Sequence, residues 1–353
     1  MSELMNAQNK RRDFRGQLLM TVSAAVLLLA TGETGRAVAA DNFLGSSDHP
    51  PFWIELGGEA DQIGGGLDPY VPPFTQDPGS ITGGSSGPII QKAPVFSHSA
   101  ESKLSYEPDG TDWVFSASIR YGRATRHKLA HAQTAGRKYP PVGEFYDAGA
   151  TTNESHLVLD FQAGKDVGLG MFGKHAHSVF SVGLRYAQFT ARASGFISSA
   201  KTLYDHYFYK EKSHIDRSSM AVGPSIAWDA SVPIIGASDN GLLLDWGANA
   251  AILFGRQKAN FSIQSIQAHY APGSPPTVAY ATSTSTGARR KTVTIPNVGG
   301  FVGLTFRRSA AKVSFGYRAD MYFGAIDAGA IARRSSNQSF YGPFLTVGIG
   351  IGG

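Results

Sequence analysis

Hydrophobic and polar side chains alternate along much of this chain. In residues 113–122 the side chains divide into an apolar set and a small or polar set: Trp113, Phe115, Ala117, Ile119 and Tyr121 against Val114, Ser116, Ser118, Arg120 and Gly122. Only a period of two residues, that of a β-strand, gives this division. The same alternation recurs in residues 180–186, 242–255, 312–323 and 345–351. The pattern predicts an all-β chain.

The alternating segments are unusually long for a water-soluble protein. The predicted strands are 52–60, 99–107, 112–124, 154–164, 178–192, 217–232, 242–255, 297–307, 311–324 and 340–352. Strands of soluble domains usually have about 5 to 6 residues, whereas a tilted strand needs about 9 to 11 to cross a bilayer. One face is apolar, and the other is rich in Gly and Ser. We therefore expect a transmembrane antiparallel up-and-down β-barrel of about ten strands, with its apolar face against lipid.

The predicted connections alternate between long and short, as in bacterial outer-membrane barrels. The long ones are 61–98, 125–153, 193–216, 256–296 and 325–339, and the short ones are 108–111, 165–177, 233–241 and 308–310. Pro108-Asp109-Gly110 and Asp239-Asn240-Gly241 are good tight-turn sequences. Residues 204–210 and 261–270 also alternate, so either segment extends its neighbouring strand or forms an extra hairpin. Twelve strands is the alternative count.

Aromatic residues near the ends of the predicted strands fit the girdles that outer-membrane barrels place at the membrane surface. They are Trp53, Trp113, Tyr121, Tyr186, Tyr322 and Tyr341.

The N-terminus has the features of an export signal. Lys10, Arg11, Arg12 and Arg15 give a positive region, residues 18–30 an uncharged apolar stretch, and Ala37-Val38-Ala39 a small-residue cleavage site. The apolar stretch is shorter than the about 20 residues of a membrane-spanning helix. We expect residues 1–40 to be a cleaved signal peptide and residues 41–353 to form the barrel in the bacterial outer membrane. Residues 61–98 are expected to form a long Gly/Pro-rich loop.

Composition and net charge limit the kinds of partner that this chain is expected to bind. The chain has 353 residues, only 17% of them charged, with 42 Gly and no Cys. The absence of Cys excludes disulfides and thiolate metal sites. The net charge of +5 is not gathered into a basic stripe, so nucleic acid is not expected as a partner. The expected partners are outer-membrane lipid and small solutes, and the oligomeric state stays open.

Six charged residues fall on the face opposite the apolar one: Arg120, Asp160, Arg185, Asp245, Arg318 and Asp320. A charge on the lipid side would cost about 2 to 4 kcal/mol at the bilayer midplane, so these six are candidates to face the lumen. They would either create a transverse field in an open pore or form an ion-pair network that fills a closed one. The sequence leaves both open.

The histidines and the Ser-His-Asp group considered for metal binding or catalysis do not form a recognisable site. His127 and His131, and His175 and His177, have no carboxylate at metal-ligand spacing. Ser155-His156 lies near Asp160 but without a nucleophile elbow. We therefore predict no catalytic, cofactor-binding or metal-binding residues, and a chain that is not an enzyme.

Several short motifs resemble a known family in their order and spacing. They are Asp112-Trp113, residues 157–161 leading to 164–167, and residues 182–187, 222–224 and 252–255. Together they resemble the outer-membrane barrel family typified by the major outer-membrane protein of Legionella, over residues 99–350. This chain departs from that type in having no Cys and in ending with Ile349-Gly350-Ile351-Gly352-Gly353, without a terminal aromatic residue.

The resemblance implies a membrane-spanning barrel with a porin or surface-protein role. From the sequence we expect a passive porin-like channel for small solutes or a structural surface protein. The alternative is an adhesin or receptor that acts through its external loops.

Overall fold

The computed structural model describes residues 50–64, 95–133, 145–168, 176–198, 207–236, 240–271, 277–329 and 333–352. These form ten β-strands: β1 (Phe52–Gly64), β2 (Val95–Tyr106), β3 (Trp113–Gln133), β4 (Phe145–Asp166), β5 (His177–Ser198), β6 (Tyr207–Gly236), β7 (Asn240–Ala271), β8 (Thr277–Arg308), β9 (Ala311–Asp327) and β10 (Ser335–Ile351). The predicted signal peptide, residues 1–40, lies outside the described residues.

The ten strands close into one antiparallel barrel. Each strand pairs with its neighbour in sequence, and β1 closes the barrel against β10, with Trp53 opposite Gly350. The all-β, up-and-down barrel of ten strands is confirmed. The expected tight turn follows β2, where Gly110 has φ +72° and Thr111 N–H donates to the Pro108 carbonyl at 3.2 Å.

The alternative of twelve strands is wrong. Its two candidate segments, as far as they are described, lengthen β6 and β7 and pair with each other: Tyr207 lies opposite His269, and Lys210 opposite Ile266. They therefore form no additional hairpin.

Several predicted loops are largely strand. Most of the predicted loop 256–296 belongs to β7 and β8, which have 32 residues each. Loops 125–153 and 193–216 are shortened in the same way, and loop 61–98 loses both ends because β1 reaches Gly64 and β2 begins at Val95. Residues 65–94 lie outside the described part of the chain. Backbone pairing continues past the point where apolar side chains stop, and hydropathy does not detect that continuation.

Large apolar side chains cover the outside of the barrel next to the short turns. Phe161, Leu184, Phe254 and Leu345 are each more than half exposed. Many other large apolar side chains at outward-facing positions of the strands are exposed in the same way. Such a band of apolar side chains is the lipid-facing surface of a transmembrane barrel. None of the described residues forms a helix long and apolar enough to span a membrane.

Two of the six predicted girdle aromatics point the other way. Trp53 and Tyr322 are buried inside the barrel. Trp53 packs in the lumen against the Arg307 guanidinium and the Lys312 ammonium, at 4.7 and 4.8 Å from its ring. The strand parity places both residues inward, so the girdle prediction is wrong for them.

Candidate functional site

The structure places all six predicted charged residues on the inward face of the barrel. Two of them meet from opposite walls. The guanidinium of Arg120, on β3, donates to the carboxylate of Asp320, on β9, at 2.6 Å. Arg120 also lies 3.6 Å from Glu59, on β1. Both carboxylates are almost fully shielded from solvent, with side chains 2% and 1% exposed.

Arg185 forms a second centre of contacts. Its Nε and Nη2 donate to Asp160 on the neighbouring strand at 2.6 and 3.1 Å. Its Nη1 reaches further into the lumen and donates to Asn249 on β7, at 2.6 Å, and to Asn297 on β8. This bidentate pair and the two amides use the fork geometry of arginine.

Arg318, on β9, joins two acids that sequence reasoning missed. Its Nη1 donates to Glu101 on β2, at 2.6 Å, and to Glu59 on β1. The alternation that would have identified Glu59 is interrupted by Gly57 and Gly58, which carry no side chain to mark a face. Arg318 thereby connects β9 to β1 and β2.

Asp245, the sixth candidate, takes no part in these ion pairs. Its carboxylate accepts hydrogen bonds from Ser231, at 2.5 Å, and from Thr305, both on adjacent strands. It lies nearer the end with the short turns.

An apolar layer follows the ion pairs. Phe189 lies four residues beyond Arg185, and Tyr322 two residues beyond Asp320, both toward the end with the long connections. The rings of Phe189 and Tyr322 meet edge-on with centroids 4.8 Å apart, and Phe340 stacks on Phe189 at 5.9 Å. The buried cluster around them draws on every strand except β2: Ile63, Ala124, Val158, Ala187, Ala191, Ala221, Ala251, Leu253, Ile295, Ala325 and Ile326.

A cavity opens toward the end with the short turns. Its volume is about 640 Å³, and its wall includes Glu55, Lys103, Asp229, Lys312 and Arg318. The Lys312 ammonium donates to Glu55 at 2.9 Å. The cavity therefore ends at Arg318, where the ion-pair layer begins. Barrels of about this strand number are narrow enough for their own side chains to fill, and this one is filled above the cavity.

The residues considered for catalysis at residues 155–160 do not come together. Ser155 and His156 alternate on opposite faces, His156 is buried inside, and Asp160 is held by Arg185. His156 Nε2 lies 3.4 Å from the Ser99 hydroxyl, which donates to Asp61 at 2.6 Å.

The two histidine pairs give no metal centre in the described residues. His177 Nδ1 lies 2.7 Å from Asp166, while the side chains of His127, His131 and His175 lie outside the described part. Within that part, no group of three or more His, Asp or Glu residues is placed to hold a metal ion.

Comparisons with known proteins give only distant matches. No protein-family model matches the chain, and no curated protein matches its sequence. The solved structures that match include the TodX deltaS2S3 mutant monoaromatic hydrocarbon channel, at 6% identity over 86% of this chain and 91% of that chain with a TM-score of 0.28. The P. putida toluene transporter TodX matches at 7% identity over 87% and 91%, with a TM-score of 0.26. The transport unit of the autotransporter AIDA-I from Escherichia coli matches at 8% identity over 93% and 97%, with a TM-score of 0.24.

These three structures represent two proteins, TodX and AIDA-I, and likenesses of this size carry no argument about this chain. The resemblance to the Legionella family stays a prediction.

Proposed function

We propose that this protein is an outer-membrane surface protein with a closed barrel, rather than an open porin. The observation that carries the proposal is the closure of the lumen. Arg120 reaches Asp320 across the barrel, and Arg318 reaches Glu101 and Glu59. An apolar layer with Phe189, Tyr322 and Phe340 at its centre lies above these pairs.

The outer membrane is the location that best suits such a chain. The apolar outward band requires lipid, and the export signal predicted in residues 1–40 would carry the chain out of the cytoplasm. The short turns would then face the periplasm, and the long connections would face outside. The resemblance to the Legionella family implies either a porin or a surface role, and the closed lumen favours the second.

The free-energy cost of separating the buried ion pairs opposes spontaneous opening of the lumen. Separating one buried ion pair leaves uncompensated charges, at a cost of about 3 to 5 kcal/mol. Since every 1.4 kcal/mol is about tenfold in a population, a state with only one pair separated would be populated at about 1% or less. A continuous path needs more than one pair to separate and the aromatic layer to move.

The upper part of the barrel supports a role at the cell surface. β7 has 32 residues, whereas crossing the bilayer takes about 9 to 11. The excess pairs with β6 and β8 as a polar sheet beyond the apolar band, with exposed Thr282, Thr284 and Arg290. A protein that only crossed the membrane would not need this extension. A receptor or adhesin role would use it.

Single-channel recording in planar bilayers tests the proposal. Protein purified from bacterial outer membranes should give no conductance steps. A variant that widens the lumen, with Arg120, Asp320, Phe189 and Tyr322 all replaced by Ala, is the positive control, and heat-modifiable gel mobility establishes that it is folded. Steady conductance of the unmodified protein would overturn the closed-barrel proposal.

A gated channel is the second candidate, and the periplasmic cavity of about 640 Å³ favours it. A solute could be held in this cavity below the ion-pair layer until the lumen opens. Steps that appear only under a large applied voltage would support gating over permanent closure.

A further inference from the structure

Three polar side chains on the outside of the external sheet form a continuous hydrogen-bonded row. The Ser194 hydroxyl, on β5, lies 2.8 Å from Nδ1 of His214, on β6. Nε2 of the same ring lies 3.2 Å from the carboxylate of Asp216. The His214 and Asp216 side chains are 53% and 43% exposed, so solutes can reach the row.

The strand register brings these residues together. Ser194 lies directly opposite His214, and Arg192 directly opposite Asp216. Residues two apart on a strand share a face, so His214 and Asp216 point the same way. Directly opposed side chains in an antiparallel pair have Cβ atoms about 4.5 to 5.5 Å apart, which suits a contact between serine and histidine.

We propose that Ser194, His214 and Asp216 are the reacting group of an ester hydrolase on the external surface of the barrel. Ser194 is the nucleophile, and His214 is the general base. Asp216 is a positioning residue that acts through the histidine. This activity goes beyond the closed-barrel function and does not depend on it.

One tautomer satisfies both contacts of the histidine ring. With the proton on Nε2, the ring donates to Asp216, and the lone pair of Nδ1 faces the Ser194 hydroxyl. Arg192 Nε lies 3.2 Å from the other oxygen of Asp216 and holds the carboxylate in place. A nucleophile, a base and a group that orients the base are the parts that acyl transfer requires.

A cavity adjoins the row and indicates the substrate. Its volume is about 770 Å³, and Ser194 and His214 belong to its wall together with Gly149, Phe196 and Lys212. Gly149, on β4, lies directly opposite Phe196 and forms part of the same cavity wall. The Phe196 ring offers an apolar surface for a short acyl chain.

Lys212 supplies a positive charge beside the nucleophile. It lies opposite Phe196, two residues from His214 on the same face. A long side chain can reach the diagonal neighbour across a strand pair, about 7 to 8 Å away. Its ammonium group is the candidate to stabilise the oxyanion that develops on the ester carbonyl.

The distance of the Ser194–His214–Asp216 row from the apolar band indicates whether its substrate is part of the bilayer. Met220 is the last large apolar side chain that β6 exposes before the row. His214 lies six residues before Met220 in the chain, toward the long connection, about 20 Å away along a strand at about 3.3 Å per residue. The substrate is therefore a carboxylic ester in the external aqueous phase, and not the acyl ester of a membrane lipid.

The reaction balances without a co-reactant other than water. Ser194 Oγ forms a bond to the carbonyl carbon as its proton passes to His214 Nδ1. The C–O bond to the alcohol breaks, and the alcohol leaves with that proton. Water then gives a proton to His214 and attacks the acyl-serine, which releases the carboxylic acid and returns the proton to Ser194.

Hydrolysis of p-nitrophenyl butyrate by the purified outer-membrane protein is the direct test. Ser194→Ala and His214→Ala should each lower kcat/KM at least about hundredfold, the lower range for loss of a positioned acid–base group. Ser218→Ala is the matched control, because Ser218 lies on the same face of β6 but outside the cavity, and it should keep full activity. Heat-modifiable mobility of each variant shows that it is folded.

The positioning role of Asp216 is tested by a quantity that would stay unchanged if Asp216 only stabilised the fold. Asp216→Asn should lower kcat at least about tenfold while KM stays the same, because Asp216 does not touch the substrate. Asp216→Glu should restore part of kcat. A change confined to KM, or loss of the folded band, would contradict the role given to Asp216.

Covalent labelling gives an independent result. A fluorophosphonate probe should label Ser194, as seen in the mass of its peptide, and should fail to label the His214→Ala variant. The proposal is overturned if the folded protein does not hydrolyse p-nitrophenyl butyrate, if Ser194→Ala matches the unmodified protein, or if no label reaches Ser194. In those cases the row is a polar ladder on the sheet surface. None of these results bears on conductance, so the closed-barrel proposal stands or fails separately.

Discussion

The Arg120 guanidinium on β3 donates a 2.6 Å hydrogen bond to the Asp320 carboxylate on β9, across the interior of the barrel. Three strands separate β3 from β9 around the wall by way of β2, β1 and β10. A direct contact between side chains so far apart in the sheet is feasible only because the barrel is narrow. The pair links opposite walls and blocks the lumen at the same time.

Removing one partner of this pair should destabilise the barrel. Arg120→Ala leaves the Asp320 carboxylate buried without its guanidinium, so the free energy of unfolding should fall by about 3 to 5 kcal/mol. Urea titration of the detergent-solubilised barrel measures the change. Lys165→Ala is the control, because Lys165 and Asp112 form a solvent-exposed pair 4.0 Å apart, and such pairs contribute about 0 to 1 kcal/mol.

The double replacement separates the cost of an unpaired charge from the value of the pair. Arg120→Met with Asp320→Leu removes both charges, so most of the lost stability should return. A double variant as unstable as Arg120→Ala would show that the pair itself, and not the orphaned charge, accounts for the loss.

The aromatic layer should behave as a packed protein core. Phe189→Ala removes a ring that touches Tyr322 and Phe340, and the cavity should cost about 3 to 5 kcal/mol in unfolding free energy. Phe189→Leu should cost much less, because it keeps most of the volume. Neither variant should conduct ions, since the ion-pair layer still crosses the lumen. If Phe189→Ala alone conducted ions, the barrier to ions would lie in the aromatic layer and not in the ion-pair layer.

Substitutions on β5 can distinguish lipid from water outside the barrel. Leu184 is 56% exposed on the outward face of the apolar band, so Leu184→Arg should destabilise the barrel in lipid bilayers by about 2 to 4 kcal/mol. Thr190→Arg is its control on the same face, six residues further toward the external end, where the expected change is close to zero. Equal effects of the two substitutions would argue against lipid as the medium around Leu184.

The external extension should be dispensable for the barrel. Replacing residues 262–286 with an Asn-Gly turn joins β7 and β8 where Phe261 lies opposite Gly287. The ion pairs and the aromatic layer lie below this point, so heat-modifiable mobility and resistance to urea should be nearly unchanged. Loss of the folded band would show that the extension contributes to barrel assembly and is not only a surface for other molecules.

The sequence alone determined that the chain forms long barrel strands and which way most of their side chains point, whereas the choice between ten and twelve strands came from the structure. Alternation with a period of two is a local property, so Phe180 and Val182 face outward and Ser181 and Arg185 inward without reference to any partner. For the same reason the sequence placed all ten strands but misjudged their external ends, where large apolar side chains no longer mark the outward face.

Tertiary structure decided which of these side chains meet. Arg120 and Asp320 are 200 residues apart, and only barrel closure and the stagger of the strands bring them together. The same holds for Ser194 and His214, which share no local motif and become neighbours through the register of β5 and β6. Local alternation fixes the direction of a side chain, whereas its partner depends on distant backbone pairing that no short stretch of sequence encodes.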